Sequence, residues 1–345
     1  MSTQPTDNTQ SLLDVVIVNW NTGDCLRMCL HSLAAADAGL DLGPTVVVDN
    51  ASSDGSADQL PTDPEVVLIR NPTNVGFAAA CNQGARVGSA PYLLFLNPDT
   101  VLLPDTLRSV LSFMEGAGGA GYGICGGLLL QPDGTLGISA SRFPTLANVV
   151  TGTLGLDRAV RRWVAPRHLS VDELAVSRPV DQVIGAFFLV RRSLFDRLEG
   201  FDERYFVYYE EVDFCMRAAS LGAPAYMLTE AKLYHIGNVS AKKSGGRALF
   251  YSLRSRTLYA GRHWLLAETF SLVVFTLALE LPARFLRATL RLDLNEAIAV
   301  VRTFVSYVFF LVQIGIRRSE SDDAARAAHA TAPASDLVET HQERL

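Results

Sequence analysis

Residues 92–99 read Tyr-Leu-Leu-Phe-Leu-Asn-Pro-Asp, an apolar run that changes abruptly to a polar triplet at Asn97. A short run without polar alternation indicates a β-strand that is buried on both faces. Such strands form parallel sheets covered by helices, and ligands bind beyond the carboxyl ends of these strands. We therefore predict that Asn97-Pro98-Asp99 lies at a ligand-binding edge of a sheet.

Three earlier apolar runs repeat this arrangement. They are Val15–Val18, Thr45–Val48 and Val66–Ile69, and helix-like segments separate them. Strands that alternate with helices predict an α/β fold with a mostly parallel central sheet and helices on both faces. Polar residues follow each run, at Asn19, Asp49 and Asn71. Because the carboxyl ends of parallel strands share one edge, these side chains are expected to lie near Asn97-Pro98-Asp99.

The composition of the 345 residues excludes some classes of protein. A net charge of −6 argues against a general nucleic-acid binder, which normally has a basic surface. Five cysteines scattered among apolar neighbours predict buried, reduced thiols of a cytosolic protein and no disulfide framework. The first twelve residues are polar and lack the features of a signal peptide, so a flexible N-terminus is expected there.

An acidic cluster begins another predicted helix. Tyr208-Tyr209-Glu210-Glu211-Val212-Asp213 places three carboxylates within four residues. Like charges repel, so such a cluster usually serves a cation, a proton transfer or a nearby arginine. Arg217 follows Asp213 by four residues, which favours a helical ion pair. The alternative is an acidic helix N-terminus that only complements the helix dipole.

Three further motifs complete the pattern. They are Asp49-Asn50-Ala51-Ser52-Ser53-Asp54-Gly55-Ser56, Asn74-Val75-Gly76-Phe77 with Asn82, and His235-Ile236-Gly237-Asn238-Val239-Ser240. Together with Asn97-Pro98-Asp99 and the acidic cluster, they resemble the inverting family 2 glycosyltransferases, in particular the bacterial rhamnosyltransferase-like branch. The resemblance covers roughly residues 13–260, and the motifs occur in the expected order. It implies a GT-A-like fold and transfer of a sugar from a nucleotide donor.

The resemblance also implies a divalent cation, Mg²⁺ or Mn²⁺, held by Asp99 and His235 with Asn97 beside them. A cation that bridges the phosphates would stabilise the charge on the leaving diphosphate, and these ions favour oxygen ligands. Two positions in the metal-site motifs depart from the family: Asn97 replaces the first carboxylate of Asp-x-Asp, and Asn238 replaces a glycine. The alternatives are a simple turn at Asn97-Pro98-Asp99 and a strand-end histidine.

The donor nucleotide is expected to be a pyrimidine, as in a dTDP- or UDP-sugar, because the Asp49 carboxylate can accept from the N3–H of uracil or thymine. The amide side chains and the glycine that complete the predicted nucleotide site are Asn19, Asn74, Gly76 and Asn82. Amides can bond the ribose, and a glycine permits close backbone approach.

Inverting transfer needs one general base, and the family position matches Glu211, with Glu210 as the second candidate. Glutamate replaces the aspartate usual in the family, which extends the carboxylate by one methylene. We assign Asp213 mainly to the pair with Arg217. Gly185 and Tyr208 are expected to shape the acceptor pocket, although a tyrosine suits a core equally well.

Two apolar segments near the C-terminus, Leu265–Leu281 and Ala297–Ile316, are long enough to reach across or lie along a membrane. Arginines between them favour helices lying in the cytoplasmic interface over a spanning hairpin. A helical dimer or core element is the alternative. The expected divisions are a flexible 1–12, a nucleotide-sugar half 13–130, an acceptor half 131–260, a helical membrane-associated region 261–318 and a disordered tail 319–345.

This pattern predicts a transferase at the cytoplasmic face of the cell membrane that acts on a glycan or polyprenyl-linked acceptor in cell-envelope polysaccharide synthesis. Rhamnose is suggested by the branch resembled, while galactose, mannose or an N-acetylated sugar stay open, as does a homo-oligomer. Two other hypotheses are a sugar nucleotidyltransferase and an inactive membrane scaffold of the same fold. The departures at Asn97 and Glu211 are the support for the scaffold.

Overall fold

The computed structural model of the protein describes residues 11–36, 39–40, 42–58, 60, 66–237 and 247–331, with side chains up to residue 315. Four parallel strands form the first half of its central sheet, in the order β3-β2-β1-β4. They are β1 (Leu13–Asn19), β2 (Leu42–Asp49), β3 (Val66–Arg70) and β4 (Tyr92–Leu96). These are the four strands predicted from the apolar runs, and the prediction of a parallel sheet is confirmed for this half.

The second half of the sheet is mixed, in the order β4-β10-β6-β11-β5, with β8 paired to β11. Its strands are β5 (Thr100–Leu102), β6 (Ile124–Leu130), β8 (Arg178–Val180), β10 (Phe187–Arg191) and β11 (Ala225–His235), while β7 (Ala140–Ser141) and β9 (Gln182–Val183) form a separate pair. Strand β10 runs antiparallel to β4 and β6. The start of β10 therefore lies at the same edge as the ends of β1, β2, β4 and β11. Residues 184–186 lie between β9 and β10 and belong to neither strand.

Helices cover both faces of the sheet and continue beyond it. They are α1 (Cys25–Ala36), α2 (Phe77–Ala85), α3 (Thr106–Glu115), α4 (Leu146–Thr153), α5 (Asp157–Val160), α6 (Val171–Leu174), α7 (Arg192–Arg197), α8 (Glu210–Ser220), α9 (Arg247–His263), α10 (Leu266–Phe275), α11 (Leu281–Leu290) and α12 (Leu294–Thr331). A π-helical turn, Thr276–Glu280, joins α10 to α11. Helix α12 continues through the first part of the tail that was predicted to be disordered, and residues 332–345 lie outside the described residues.

The alternation of side chains along β1 explains why its sequence is apolar throughout. Val15 and Ile17 enter one core with helices α1 and α3, whereas Val16 and Val18 enter a second core with α2, α7 and α8. Each core contains two buried cysteines, and no disulfide is found among the residues that the structure describes. The predicted burial of the thiols is confirmed for these four, whereas Cys25 is partly exposed.

A buried ion pair joins the C-terminal helices to α9. Arg256 Nη2 lies 2.5 Å from Glu280 Oε2 and donates to Thr276 Oγ1 at 2.9 Å. The π-helical turn spans Thr276 to Glu280 and presents both partners to the arginine. Glu280, which interrupts the apolar run in the sequence, is thus turned inward and neutralised. This explains how a carboxylate is accommodated between two apolar helices.

The outer faces of these helices are apolar. Leu266–Leu290 and Leu294–Gly315 are long and apolar enough to cross a membrane, by length and composition only. Less than a third of each window is buried inside the protein, at 22% and 28%. The core helix of a soluble protein would be mostly buried. The C-terminal helices could therefore be associated with a membrane.

Candidate active site

Asn19 and Asp49 lie side by side at the ends of β1 and β2, as the strand pattern predicts. Asn19 Nδ2 donates to Asp49 Oδ1 at 2.9 Å, and the same nitrogen lies within hydrogen-bond distance of the Ser52 and Ser56 hydroxyls. Thr22 Oγ1 donates to Asn19 Oδ1. The amide of Asn19 is thus fully occupied within the protein. Asn19 orients the Asp49 carboxylate in this structure. The direct nucleotide contact that was predicted for Asn19 stays a prediction.

The loop after β2 is tied to the loop after β1. Asn21 Oδ1 accepts from the backbone N–H of Ser53 at 2.8 Å, and Asp54 accepts from the N–H of Gly23 at 2.9 Å. Asn21 and Ala51 both adopt left-handed backbone conformations, with φ of 53° and 61°. Residues other than glycine rarely do so, which marks a functional or tightly constrained turn. Hydrogen bonds thus join the two loops beside Asp49, whose Oδ2 lies 3.4 Å from the Ser52 backbone nitrogen.

The backbone of Gly76 lies close to Phe206 of the protein, where a nucleotide was expected. It has φ of +93°, and a Cβ added there would lie 2.6 Å from the carbonyl oxygen of Phe206. The Phe77 N–H donates to that same carbonyl at 2.6 Å, and Asn74 Oδ1 accepts from the Gly76 N–H. The predicted space for a nucleotide at Gly76 is therefore filled by Phe206. This contact joins the loop before α2 to the segment that leads into the acidic cluster.

We expect Gly76→Ala to lower the free energy of unfolding by roughly 2–3 kcal/mol, because it adds a steric clash to an unfavourable φ. Gly134→Ala is the matched control: its φ is +82° and nothing lies within 4 Å of an added Cβ. The control should cost about 1 kcal/mol. Urea unfolding of the two variants measures the difference, and equal losses would contradict the clash with Phe206.

Asn82 fastens α2 to the loop after α7. Its Nδ2 donates to the Phe201 carbonyl at 2.8 Å and to Glu203 Oε1 at 3.0 Å, and its Oδ1 accepts from the Phe201 N–H. All of its polar atoms are therefore bonded within the protein. The structure places Asn82 in a supporting position, and the nucleotide contact predicted for it has no free amide atom to use.

Asp99 and His235, predicted as metal ligands, lie together although 136 positions separate them in the chain. Asp99 Oδ1 is 3.4 Å from His235 Nε2, and the Ile236 N–H donates to the Asp99 carbonyl at 3.0 Å. The pairing of β5 with β11 sets this arrangement, because it aligns Thr100 with His235. A carboxylate and an imidazole thus meet at the edge of the sheet.

These two residues fit a divalent cation as a partial ligand set. Carboxylate oxygen suits both Mg²⁺ and Mn²⁺, and imidazole nitrogen suits Mn²⁺ better. Among the described residues there is no group of three His, Cys, Asp or Glu side chains that could hold a metal ion. A cation here would take its other ligands from Asn97, water or the diphosphate of a donor. Asn97 is held at this edge because its N–H donates to the Ala186 carbonyl at 3.0 Å.

Glu210 and Glu211 stand at the start of α8, as the acidic pattern predicts. Tyr208 and Tyr209 precede them with left-handed φ values of 66° and 70°, an unfavourable pair that turns the chain sharply into the helix. Burial raises the pKa of both carboxyl groups, and the charge of Glu211 raises that of Glu210 further. One Oε2 oxygen on each is buried without a hydrogen-bond partner among the described residues.

Glu211 is the more exposed of the two residues, although its Oε2 is buried. Glu210 is only 5% exposed, whereas Glu211 is partly open to solvent. A Cβ built on Gly185 would lie 4.0 Å from the Cβ and Cγ of Glu211, so Glu211 stands over the Gly185-Ala186 turn. Asn97 is bonded to that same turn. Glu211 therefore lies close to the end of β4, where Asp99 is found.

Arg167 is a residue of this site that the sequence analysis missed. Its Nη1 donates to the Tyr209 hydroxyl at 3.0 Å, and its guanidinium lies 4.9 Å from the centre of the Tyr209 ring. Its charge lowers the pKa of Glu211, which opposes the effect of burial. Arg167 belongs to a segment without a regular pattern, so no sequence signal distinguished it from other arginines.

Asp213 and Arg217 form the predicted ion pair, with Arg217 Nε 2.7 Å from Asp213 Oδ2. The carboxylate also contacts two residues of α9: His263 Nε2 lies 2.7 Å from Oδ1, and Arg262 Nε lies 3.5 Å from it. Burial alone would raise the pKa of Asp213, but the hydrogen bond with His263 and the charge of Arg217 lower it overall. Asp213 is therefore a structural centre that joins α8 to α9.

Comparisons with known proteins bear on the family and the fold of this chain. The family model described as "Glycosyl transferase family 2" matches residues 14–198. An N-acetylglucosaminyl-diphospho-decaprenol L-rhamnosyltransferase of Mycobacterium tuberculosis is 30% identical over 239 residues, covering 65% of this chain and 76% of the relative. The rhamnosyltransferase WbbL of Escherichia coli is 28% identical over 179 residues, covering 51% of this chain and 64% of the relative.

A solved structure resembles the fold over most of the chain. The mannosyltransferase PcManGT from Pyrobaculum calidifontis, in complex with GDP-Man and Mn²⁺, aligns with a TM-score of 0.51 at 15% identity, covering 90% of this chain and 87% of the other. This likeness supports the GT-A-like fold. The family match extends over more than half of the chain and includes Asp49 and Asp99. The chain belongs to glycosyl transferase family 2.

Proposed function

We propose that this protein transfers a sugar, with inversion, from a dTDP- or UDP-sugar to a hydroxyl of a polyprenyl-linked glycan acceptor, with rhamnose as the sugar. The observation that supports this most is the meeting of Asp49, the Asp99–His235 pair and Glu211 at one edge of the sheet. Each of the three serves a different part of the reaction. The relatives named as rhamnosyltransferases, one of them with a decaprenol-linked acceptor, support the choice of sugar and acceptor.

The reaction requires an acceptor hydroxyl to attack the anomeric carbon as the bond to the diphosphate breaks. Glu211 accepts the hydroxyl proton, and the departing nucleoside diphosphate keeps the electron pair of the broken bond. A Mg²⁺ or Mn²⁺ ion beside Asp99 and His235 would supply positive charge to the diphosphate. Arg167 keeps Glu211 more readily ionised than burial alone would allow. Attack from the face opposite the diphosphate inverts the anomeric carbon, which NMR of the product anomer would establish.

Membrane association is part of the proposal. The exposed apolar faces of α10–α12 would lie in the cytoplasmic interface, where soluble sugar nucleotides and a lipid-linked acceptor are both accessible. Arg287 and Arg291 are exposed beside these faces and suit lipid phosphates. The divisions of the chain given above, with a donor half, an acceptor half and a membrane-associated region, are proposed with it.

Nucleotide binding is tested by thermal stabilisation with UDP, dTDP, GDP and ADP, each with and without Mn²⁺ or Mg²⁺. A nucleotide at 100 times its dissociation constant should add about 2.7 kcal/mol to the free energy of unfolding. We expect a pyrimidine diphosphate to act, and only with metal. Asp99→Asn should remove the dependence on metal, whereas Asp58→Asn, in an exposed pair with Arg70, should not.

Stabilisation that is independent of metal would contradict the role of Asp99 and His235. A response to GDP or ADP alone would contradict the role of Asp49 in selecting a pyrimidine. No response to any nucleotide would reject the transferase and favour the inactive scaffold.

A further inference from the structure

A short surface segment after α4 combines exposed cations with exposed apolar side chains. We define it as the basic–aromatic segment, residues 154–163. Leu154, Leu156 and Trp163 are exposed by 42%, 43% and 76%. Its arginines, Arg158, Arg161 and Arg162, are exposed as well. Single exposed apolar residues are ordinary on a protein surface, but three beside three arginines within ten residues form a patch.

The charges of this segment are unbalanced. No carboxylate lies within ion-pair distance of Arg158, Arg161 or Arg162 in the part of the chain that the structure describes. The acid of the segment, Asp157, instead accepts from Thr151 Oγ1 at 3.2 Å. The Arg162 guanidinium lies 5.8 Å from the centre of the Trp163 ring, a cation–π contact on the open surface. The segment therefore has positive charge available for a phosphate-rich partner.

The apolar C-terminal helices adjoin this segment. Helix α4 leads directly into it and packs beside α10, because Val149 and Leu272 belong to one buried cluster. Trp264, just before α10, donates its indole N–H to the Pro144 carbonyl at 3.0 Å. The outward residues of α10, such as Phe270 at 68% exposed, are apolar. The segment thus extends a surface that already suits lipid.

The other end of the segment leads to the active site. Arg167 follows Trp163 by four residues and contacts Tyr209, which immediately precedes Glu210 and Glu211. A surface held by Trp163 would therefore bring the acceptor side of the site close to whatever that surface binds. This connection favours a membrane over a soluble partner, since the proposed acceptor is anchored in lipid.

We propose that the basic–aromatic segment binds the headgroup region of an anionic phospholipid bilayer, with its arginines on lipid phosphates and Trp163 at the interface. Indole rings and arginines are the side chains enriched at this depth. The proposal deepens the proposed function and rests on its membrane association. It adds a contact on the catalytic domain, separate from the C-terminal helices, that orients the site toward the lipid.

The first test compares binding of the full chain to vesicles of phosphatidylcholine alone and of phosphatidylcholine with phosphatidylglycerol. R158Q/R161Q/R162Q should lower the partition coefficient on the anionic vesicles by roughly 10- to 100-fold, since each arginine near an anionic surface contributes substantially. The matched control is R27Q/R108Q/R197Q, which removes the same charge from exposed positions on α1, α3 and α7 and should change binding less than threefold.

The second test reports contact directly, even if the C-terminal helices dominate binding. An environment-sensitive fluorophore is attached to W163C or to R197C, with Cys25→Ser in both because the other four cysteines are buried. On anionic vesicles the label at 163 should shift to the blue and be quenched by brominated lipid, and the label at 197 should do neither. If the label at 163 stays in water while the protein is bound, the role of the basic–aromatic segment is overturned, and the membrane association in the proposed function is not affected.

Failure of the unmodified chain to bind any vesicle would instead contradict the membrane part of the proposed function. Binding to anionic vesicles that is equally weakened by both triple variants would show a nonspecific charge effect and overturn the segment's role. Transfer to a soluble, short-chain acceptor separates activity from docking. R158Q/R161Q/R162Q should retain that transfer within about twofold, because none of the three arginines contacts the site.

Discussion

Glu211→Gln should lower kcat for sugar transfer by roughly 10²–10⁴-fold, the range lost with a general base, while nucleotide binding is unchanged. Glutamine keeps the shape of the side chain but cannot take the acceptor proton. The unpartnered Oε2 of Glu211 and its position over Gly185 support this choice. Initial rates measured with saturating donor, together with nucleotide titrations of the variant, test the expectation.

The pH dependence of kcat is a second test of Glu211 as the general base. Burial raises the pKa of Glu211 above the ordinary 4.5, although Arg167 opposes part of that rise. A base acts only when ionised, so kcat should rise with pH through a value higher than that of an ordinary glutamate. Glu211→Gln should remove this rise of kcat with pH. If Glu210→Gln abolished transfer while Glu211→Gln did not, the base would be Glu210.

Asp213→Asn should lower the free energy of unfolding by roughly 3–5 kcal/mol, the cost of breaking a buried ion pair from one side. Asp213 is fully buried, and its loss would leave Arg217 and His263 without their carboxylate. Asp24→Asn is the control, since Asp24 and Arg27 are 72% and 50% exposed and their pair should contribute less than about 1 kcal/mol. Urea unfolding at neutral pH compares the two variants.

The pH dependence of this stability has a defined sign. Burial opposes ionisation of Asp213, yet His263 and Arg217 lower its pKa below the usual 3.8. A carboxylate with a lowered folded-state pKa stabilises the protein above its unfolded pKa, and this contribution is lost as pH falls through the folded value. The difference between the original protein and Asp213→Asn should therefore shrink as pH falls below about 3.8. A difference that grew on acidification would contradict the network.

Local patterns in the sequence were enough to predict the framework of the protein. The runs at Val15–Val18 and Tyr92–Leu96 are continuous because both faces of each strand are buried, and that property is visible within a few residues. The edge where Asp49 and Asp99 lie follows from strand direction alone. The pair of Asp213 and Arg217 follows from helical spacing.

Contacts between distant segments could not be predicted in this way. Asn82 and Gly76 looked like ligand contacts, but Asn82 bonds to the Phe201 backbone and Gly76 packs against Phe206, each more than 110 positions away. A polar or glycine residue in a loop has the same local sequence whether a ligand or another loop packs against it. Only the packing of α2 against the segment before α8 distinguished the two.

The sequence by itself determined the α/β order, the strand ends that form the site and the acidic start of α8, because hydrophobic periodicity and spacing are local properties. The tertiary structure alone decided that Arg167 stands beside Tyr209 and Glu211, that His263 binds Asp213, and that the π-helical turn brings Glu280 to Arg256. Those contacts form between elements whose relative positions depend on how the whole core packs, and no short window of sequence records that packing.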